Sequence, residues 1–430
     1  MIYLKSINSF LWTYPMLYLL LGLHIFFTIR LHFPQKKILG AIHLSVQKDE
    51  DSEKGLSGFA ALATTLAATL GTGNIVGVST AIALGGPGAV FWCWITGILG
   101  MATSYAECYL SLIYRKKRID GSYTGGPMYV LRDILKKPFL ASMYAVCTIL
   151  ASCCIGCTTQ VNAITETTSA LWHLSPYVVG IIIALTCGFV IIGGVTLIGK
   201  VCEKLVPVMG AFYIICCLAL LFINRRYLLD TLSLIFHCAF HAKTAACGFA
   251  ASTIQTAARY GIARGLFTNE AGLGSSAIAA SNAATKNPKK QALIQMTATF
   301  WDTVVMCAIT GIVIVSGILR NPDSFQGCSY GNYTSVAFQT LPFGSTLLAF
   351  ALIAFAVATL IGWSFFGERA LEFLSGNHYK KTYQTVYIVM IFLGAILSLD
   401  LVWEMTDFIN ALLIIPNVFA LLLLRKKIKL

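Results

Sequence analysis

The sequence predicts an all-α polytopic membrane protein, and three observations carry that prediction. Of the 430 residues, 57% are hydrophobic and only 11% charged, against about 25% charged in an average soluble domain. Apolar runs of roughly 20 residues recur along nearly the whole length, the signature of membrane-spanning helices. They leave no stretch for a separate soluble domain, so residues 1–430 read as one transmembrane domain. Lys and Arg, finally, gather in alternate loops, as the positive-inside rule expects.

Eleven spans are expected, in order, at about 10–29, 57–84, 89–114, 139–171, 177–198, 205–223, 247–284, 291–319, 343–374, 383–399 and 403–424. The first is long and has no small-residue cleavage pattern after it, so it reads as a retained helix rather than a signal peptide. Arg30, Lys36, Lys37, Lys48 and Lys54 separate it from the second. The second ends at Gly85-Gly86-Pro87-Gly88, a tight turn into the third. Arg115 to Arg118, Arg132, Lys136 and Lys137 precede the fourth, while Lys200 and Lys204 divide the fifth from the sixth. Lys286, Lys289 and Lys290 stand between the seventh and eighth; Arg369, Lys380 and Lys381 between the ninth and tenth; and Arg425, Lys426, Lys427 and Lys429 after the last. The opposite set of loops holds only Lys5, Arg225, Arg226, Lys243 and Arg320, a division of 24 against 5, with Arg259 and Arg264 inside the seventh span. This places the N-terminus outside and the C-terminus in the cytoplasm of a multi-pass protein of the plasma (inner) membrane. The net charge of +13 is therefore topology and excludes nucleic acid as a partner; the lipid bilayer is the surrounding phase.

The second span carries Gly71-Thr72-Gly73-Asn74 midway along its length. In lipid every backbone N–H and C=O needs a partner, so broken helix is tolerated only inside protein or beside a water-filled cavity. A break there exposes carbonyls that coordinate a cation and N–H groups that hold a carboxylate. Close helix packing by small residues is the other reading. A second glycine-interrupted helix, "YGIARGLFTNEAGLGSSAIAAS" at 260–281, decides between them. Gly261, Gly265, Gly272 and Gly274 interrupt its pattern, with Asn269 and Glu270 in the middle. Two interrupted helices at corresponding places in two halves point to an inverted-repeat transporter. The first repeat is expected over about 57–223 and the second over about 247–424, five helices each, with the helix at about 10–29 extra.

The blocks "GTGNIVGVSTAIALGGPGAVFWCWITGILGMATSYAE" (71–107), "GGPMYVL" (125–131), "RGLFTNEAGLGSS" (264–276) and "IGWSFFGERALEFL" (361–374) resemble the alanine or glycine:cation symporters, the sodium:alanine symporter family. The resemblance extends over essentially the whole chain. Cys93 departs from it, standing where the family's signature normally has Met. What the resemblance implies is a leucine-transporter-like fold and a secondary active symporter. Such a protein imports a small neutral amino acid, alanine and/or glycine, with Na+ by alternating access. A proton-coupled amino-acid transporter of the same fold is the alternative. No enzyme activity and no organic cofactor are expected; the sodium ion is co-transported.

Candidate substrate residues follow. Thr72, Gly73 and Asn74 lie in the first break, where free N–H groups bind a carboxylate and the Asn74 amide adds a hydrogen bond or an ion ligand; local capping is the alternative. Thr359 and Trp363, four apart on one helical face, are brought to the site by family similarity, the hydroxyl for Na+ or the ammonium and the indole to limit pocket size. Gln160 offers donor and acceptor inside the membrane, and Phe267 an apolar wall. By resemblance, Na+ is assigned to the carbonyls of Ala67 and Leu70 with Thr359, since a hard cation prefers oxygen.

Of the acids in or near the spans, Glu107 and Glu368 are expected to pair with neighbouring arginines of the Arg115 or Arg369 kind. Glu166 sits in the fourth span, and Glu270 and Asp302 are the candidates for proton coupling. Cys238 and Cys328 fall in outer loops, where a disulfide is conceivable. A channel is disfavoured by bulky Trp363 and Phe267 at the breaks, and an enzyme by the lack of a nucleophile–base pair.

Overall fold

Apolar runs without a polar partner in lipid satisfy their backbones internally only as helices, and helices dominate the chain. A computed structural model describes residues 2–13, 15–47, 55–241, 253–397 and 399–430. The expected start of the seventh span at 247, and Lys48, Lys54 and Lys243, lie outside the described residues.

The N-terminal pair α1 (Ile2–Thr13) and α2 (Pro15–Arg30) is followed by a short helix α3 (Ile38–Val46). The first glycine-rich span is split into α4 (Gly58–Thr69) and α5 (Val76–Gly85), bent by 60° at the break. Gly86, at φ +74°, and Pro87 then make the expected tight turn into α6 (Gly88–Ile113). A two-stranded hairpin, β1 (Lys116–Lys117) with β2 (Tyr123–Thr124), precedes the long α7 (Pro138–Trp172). Next come α8 (Pro176–Ile192), α9 (Gly194–Ile223) and α10 (Leu228–Phe240). The second broken helix is α11 (Ile254–Asn269) and α12 (Ser275–Ser281). The rest is α13 (Pro288–Arg320), α14 (Tyr333–Phe338), α15 (Gly344–Ser375), α16 (Lys380–Gly394) and α17 (Leu399–Leu423).

Among the described residues, seven helices are long and apolar enough to cross a membrane, and the bent pair makes eight. The expected spans at 177–198, 247–284 and 383–399 correspond to the shorter α8, α11 with α12, and α16. One boundary moves. Lys200 and Lys204 lie within α9, not in a loop. The chain turns at Gly193-Gly194, where Gly194 has φ +75°, and resumes helix at once.

The two broken helices lie antiparallel. At one end Ala284 N–H donates to Leu56 O at 2.7 Å, just ahead of α4 and just after α12. At the other, Gly85 at the end of α5 is closed upon by Tyr260 and Ala257 near the start of α11. Helix α11 packs along α5 and α6, while α15 packs on α4 and α7.

Gly261 and Gly265 do not break their helix, contrary to the expectation. Both lie inside continuous α11, where a Cβ on Gly261 would collide with Ala89 O and one on Gly265 with Thr96 Oγ1. They are small residues four apart that let α11 and α6 approach, the ordinary packing device of membrane helices.

Candidate functional site

The first break is produced by a redirection of backbone donors. Gly71 N–H, which would continue the helix onto Ala67, donates instead to Asn74 Oδ1 at 3.0 Å. Thr72 N–H, which would reach Ala68, turns to Gln160 Oε1 at 3.4 Å. The carbonyls at the end of α4 are thereby released from their helical partners. Gly73 N–H meets no acceptor among the described residues.

The Asn74 side chain is occupied at both ends. Its oxygen caps Gly71, and its Nδ2 donates to Asp302 Oδ1 at 2.7 Å and to Asp302 O at 3.2 Å, beside Cys307 Sγ at 3.3 Å. The capping alternative thus describes its role in this structure, with a carboxylate on α13 as the anchor.

Gln160, Phe267 and Thr359, singled out by sequence, are brought together around this break. A Cβ on Gly71 would meet Thr359 Oγ1 and Gln160 Oε1, and one on Gly73 would meet Thr268 and Phe267, so α15, α7 and α11 all touch it. Thr359 Oγ1 lies 3.0 Å from Phe355 O and 3.3 Å from Leu70 O. Two oxygens sharing a cation at about 2.3–2.6 Å each stand at about this separation. Trp363, one turn further along α15 and 1% exposed, packs its Cβ against Gly156 on α7 and its ring edge-on to Phe366. Ala67 is fully buried in the last turn of α4.

The second break runs from Glu270, at φ +53°, through Gly272 at +98° and Gly274 at +83°. Glycine is the natural residue for two of those three positions. Here Glu107 departs from the expectation. It does not pair with Arg115, whose guanidinium donates to Ala283 O and Thr285 O instead. Glu107 accepts Gly272 N–H at 3.1 Å, Ser276 Oγ at 2.8 Å and Asn417 Nδ2 at 3.0 Å, and so clasps the unwound turn. The turn exposes N–H groups that α11 cannot satisfy, and a buried carboxylate is their strongest available acceptor. Asn417 Nδ2 also reaches Gly272 O at 2.8 Å, and Tyr144 OH donates to Leu273 O at 2.9 Å. Glu270 accepts from Ser275 Oγ at 2.6 Å, and Asp302 from Asn74 and from Thr303 Oγ1 at 2.7 Å. Glu368 does pair with Arg369, at 2.5 Å, and also with Lys380 at 3.0 Å. Cys328 is a free thiol while Cys238 is disulfide-bonded, so the two are not partners of each other.

Sequence reasoning passed over Thr69 and Thr268, and noted Asn269 only as lying in the middle of the second break. The Thr69 hydroxyl and the Asn269 amide nitrogen are buried without a hydrogen-bond partner at the edges of the two breaks, where such groups call for an explanation. The structure carries a mark that residue types do not show: π-helical turns, often found at functional sites, interrupt α7 at Cys154–Thr158 and α13 at Phe300–Cys307, next to Gln160 and around Asp302.

Comparison with known proteins follows this geometry. The model of a family described as the sodium:alanine symporter family matches residues 1–429. The sodium/alanine symporter AgcS of Methanococcus maripaludis is 41% identical over 428 residues, covering 98% of this chain and 94% of that protein. An uncharacterized transporter of Haemophilus influenzae is likewise 41% identical, over 99% of this chain and 94% of its own length. Among solved structures, a Na+-coupled sialic acid symporter in a substrate-bound outward-open state superposes with a TM-score of 0.54. At 13% identity, over 92% of this chain and 82% of that one, the likeness is one of fold.

Proposed function

This chain belongs to the sodium:alanine symporter family, and from that premise we propose that it imports a small neutral amino acid, alanine and/or glycine, with Na+ by alternating access. Family membership makes it a sodium-coupled amino-acid symporter in the membrane, not an enzyme. The observation that carries the finer reading is the first break, where a cation site and a carboxylate site abut on one strand of backbone.

Leu70 O and Thr359 Oγ1, 3.3 Å apart, supply oxygens to Na+, with the released Ala67 carbonyl as a third. Immediately after them, the N–H groups of Thr72 and Gly73 face the substrate carboxylate, whose oxygen takes the place that Gln160 Oε1 holds before Thr72 N–H. Gln160 is then freed to bind the substrate. Phe267 and Trp363 bound the side-chain space and restrict it to alanine-like groups. Asn74, tied to Asp302, holds the break open. The antiparallel broken helices support two inverted five-helix repeats, about 57–223 and 247–424, with the first helix extra and eleven crossings in all. The positive-inside count supports an N-terminus outside and a C-terminus in the cytoplasm. One bundle rocks against the other around the shared site. A membrane potential of 100 mV contributes about 2.3 kcal/mol per charge, roughly a 50-fold accumulation.

Proton coupling is the second reading, favoured by buried Glu270 and Asp302 beside the breaks. Proteoliposomes given radiolabelled L-alanine under either a Na+ or a proton gradient separate the two. Uptake with Na+ alone, with a raised Na+ requirement in Thr359→Val and recovery in Thr359→Ser, is expected. Uptake driven by protons alone would transfer the coupling role to the acids. No uptake of alanine, glycine or serine in intact vesicles would sink the substrate assignment.

A further inference from the structure

The last turn of α2 and the turn that follows α17 meet at one end of the bundle. Arg30 Nε donates to Arg425 O at 3.0 Å, and Arg425 Nη1 donates to Leu422 O at 2.8 Å. Both guanidiniums are exposed, and among the described residues neither pairs with a carboxylate. Lys426 and Lys427 follow in the short helical turn Arg425–Lys427 and are exposed as well. The backbone beneath these charges is fixed. Tyr105 OH on α6 donates to Lys429 O at 2.7 Å, Lys289 Nζ on α13 donates to Leu430 O at 2.9 Å, and Ile428 is 4% exposed. Donors from α2, α6 and α13 thus hold the carbonyls of Arg425, Lys429 and Leu430, while the cationic side chains remain at the surface. Ile29, Leu422 and Leu423, next to the two arginines in sequence, are exposed apolar side chains.

Two like charges held side by side without a carboxylate call for an anion, and the apolar surface beside them calls for one that carries hydrocarbon. We propose that this junction is a binding site for an anionic phospholipid, with its phosphodiester on Arg30 and Arg425 and its acyl chains along Ile29, Leu422 and Leu423. Guanidiniums match phosphate oxygens with paired, charge-assisted hydrogen bonds, and basic pockets between membrane helices are where anionic head groups bind. A zwitterionic headgroup brings no net charge to offset the two arginines. Because the segment 425–430 is already held by its three donors, the lipid meets a preorganised site rather than a loose basic tail. The consequence is mechanical. About two turns before Arg425, α17 carries Asn417, whose Nδ2 reaches Glu107 and Gly272 O at the second break. A lipid that joins Arg30 to Arg425 fastens α2 to the helix that clasps that break. The site is independent of the transported solute; the topology given under the proposed function assigns only its leaflet, the cytoplasmic one.

Native mass spectrometry of the full chain in detergent, titrated with dioleoyl phosphatidylglycerol or with dioleoyl phosphatidylcholine, tests this. One phosphatidylglycerol should be retained at concentrations that leave phosphatidylcholine unbound. Arg30→Gln and Arg425→Gln should each weaken its retention about fivefold, the scale of one basic residue at an anionic lipid surface. Arg30→Lys keeps the charge but loses the planar fork, and should weaken it too. Tyr105→Phe removes no charge but unpins Lys429, and should weaken it by a similar factor. Lys136→Gln with Lys137→Gln, an exposed basic pair before α7, should leave it unchanged. Thermal unfolding confirms that each variant is folded, and phosphatidylglycerol should raise the midpoint of the wild type more than that of either arginine variant. Equal retention of the two lipids, or equal weakening by the Lys136 and Lys137 pair, would overturn the site in favour of a diffuse surface charge. Displacement of phosphatidylglycerol by inorganic phosphate at constant ionic strength would overturn the lipid and leave a site for the free anion.

Discussion

Asn74→Ala combined with Asp302→Ala probes how the first break is held. The single change at Asn74 removes the 2.7 Å bond to the Asp302 carboxylate and the 3.0 Å cap on Gly71 N–H. A hydrogen bond to a charged group contributes about 1.5–3 kcal/mol, and a buried N–H left unpaired costs about 1–3 kcal/mol. Asn74→Ala should therefore destabilise the open geometry by roughly 3–5 kcal/mol, which lowers Na+-driven alanine uptake at least 100-fold. In the double-mutant cycle the cap penalty appears in both arms that remove Asn74, so the coupling energy isolates the Asn74–Asp302 contact at about 1.5–3 kcal/mol. Initial uptake rates in proteoliposomes give the cycle, with thermal unfolding of the purified protein alongside. Coupling under about 0.5 kcal/mol, the scatter of independent sites, would refute the claim that Asp302 holds the break through Asn74. Asp302→Asn adds a decision between coupling ions. It keeps an acceptor for Asn74 and removes the carboxylate, so Na+-driven uptake should persist within about tenfold. Its complete loss in a folded protein would give Asp302 to proton transfer.

Three further outcomes follow from the packing and the loops. Gly156→Ala places a methyl group into Trp363 Cβ and Cγ, an overpacking of about 1–3 kcal/mol; thermal stability and uptake should both fall. Glu107→Ala strips the acceptor from Gly272 N–H and Ser276, so the unfolding temperature should drop by the equivalent of about 1–3 kcal/mol, with Glu107→Gln intermediate. In the helical turn Val130–Ile134 ahead of α7, burial tends to raise the Asp133 carboxyl, but hydrogen bonds from Arg132 and Lys116 outweigh it and hold it below the usual range. A depressed folded value stabilises above the unfolded one and is lost as pH falls through it. The stability gap between wild type and Asp133→Asn should accordingly be open at about pH 7 and close towards about pH 3.

The parts of this molecule legible in its sequence are those governed by local chemistry. Hydropathy found the long helices, Gly86-Pro87 the turn, and Gly71 to Asn74 the first break, because each depends on residues a few positions apart. What depends on distant partners was not legible. Gly261 and Gly272 look alike in sequence, yet the first is set by Ala89 across a helix interface and the second by an αL turn. The partner that fixes Asn74 lies 228 residues away. Glu107 looked like a surface ion-pair member because Arg115 follows it by two helical turns. Arg115 is instead drawn to the Ala283 and Thr285 carbonyls after α12, and the Gly272 turn claims the carboxylate. Lys200 and Lys204 looked like a loop because charge normally ends a span, whereas Gly193-Gly194 had already made the turn.

The order of groups along the first break bears on coupling. Leu70 O meets Thr359 on α15, and the next residues present Thr72 and Gly73 N–H, with no flexible spacer between them. A cation that fixes Leu70 against α15 therefore also fixes the peptide planes that face the carboxylate. On the proposed function, the entropy of ordering that turn is shared by the two ligands, so whichever binds first lowers the cost for the second. Linkage makes the effect mutual: the factor by which Na+ raises amino-acid affinity equals the factor by which amino acid raises Na+ affinity. Gly73 also touches Phe267 and Thr268 in α11, and Asn74 is tied to α13. The same short turn would thus join both proposed ligands to the helix that carries the second break, and only a ligand that favours one arrangement of that turn can shift the equilibrium between arrangements.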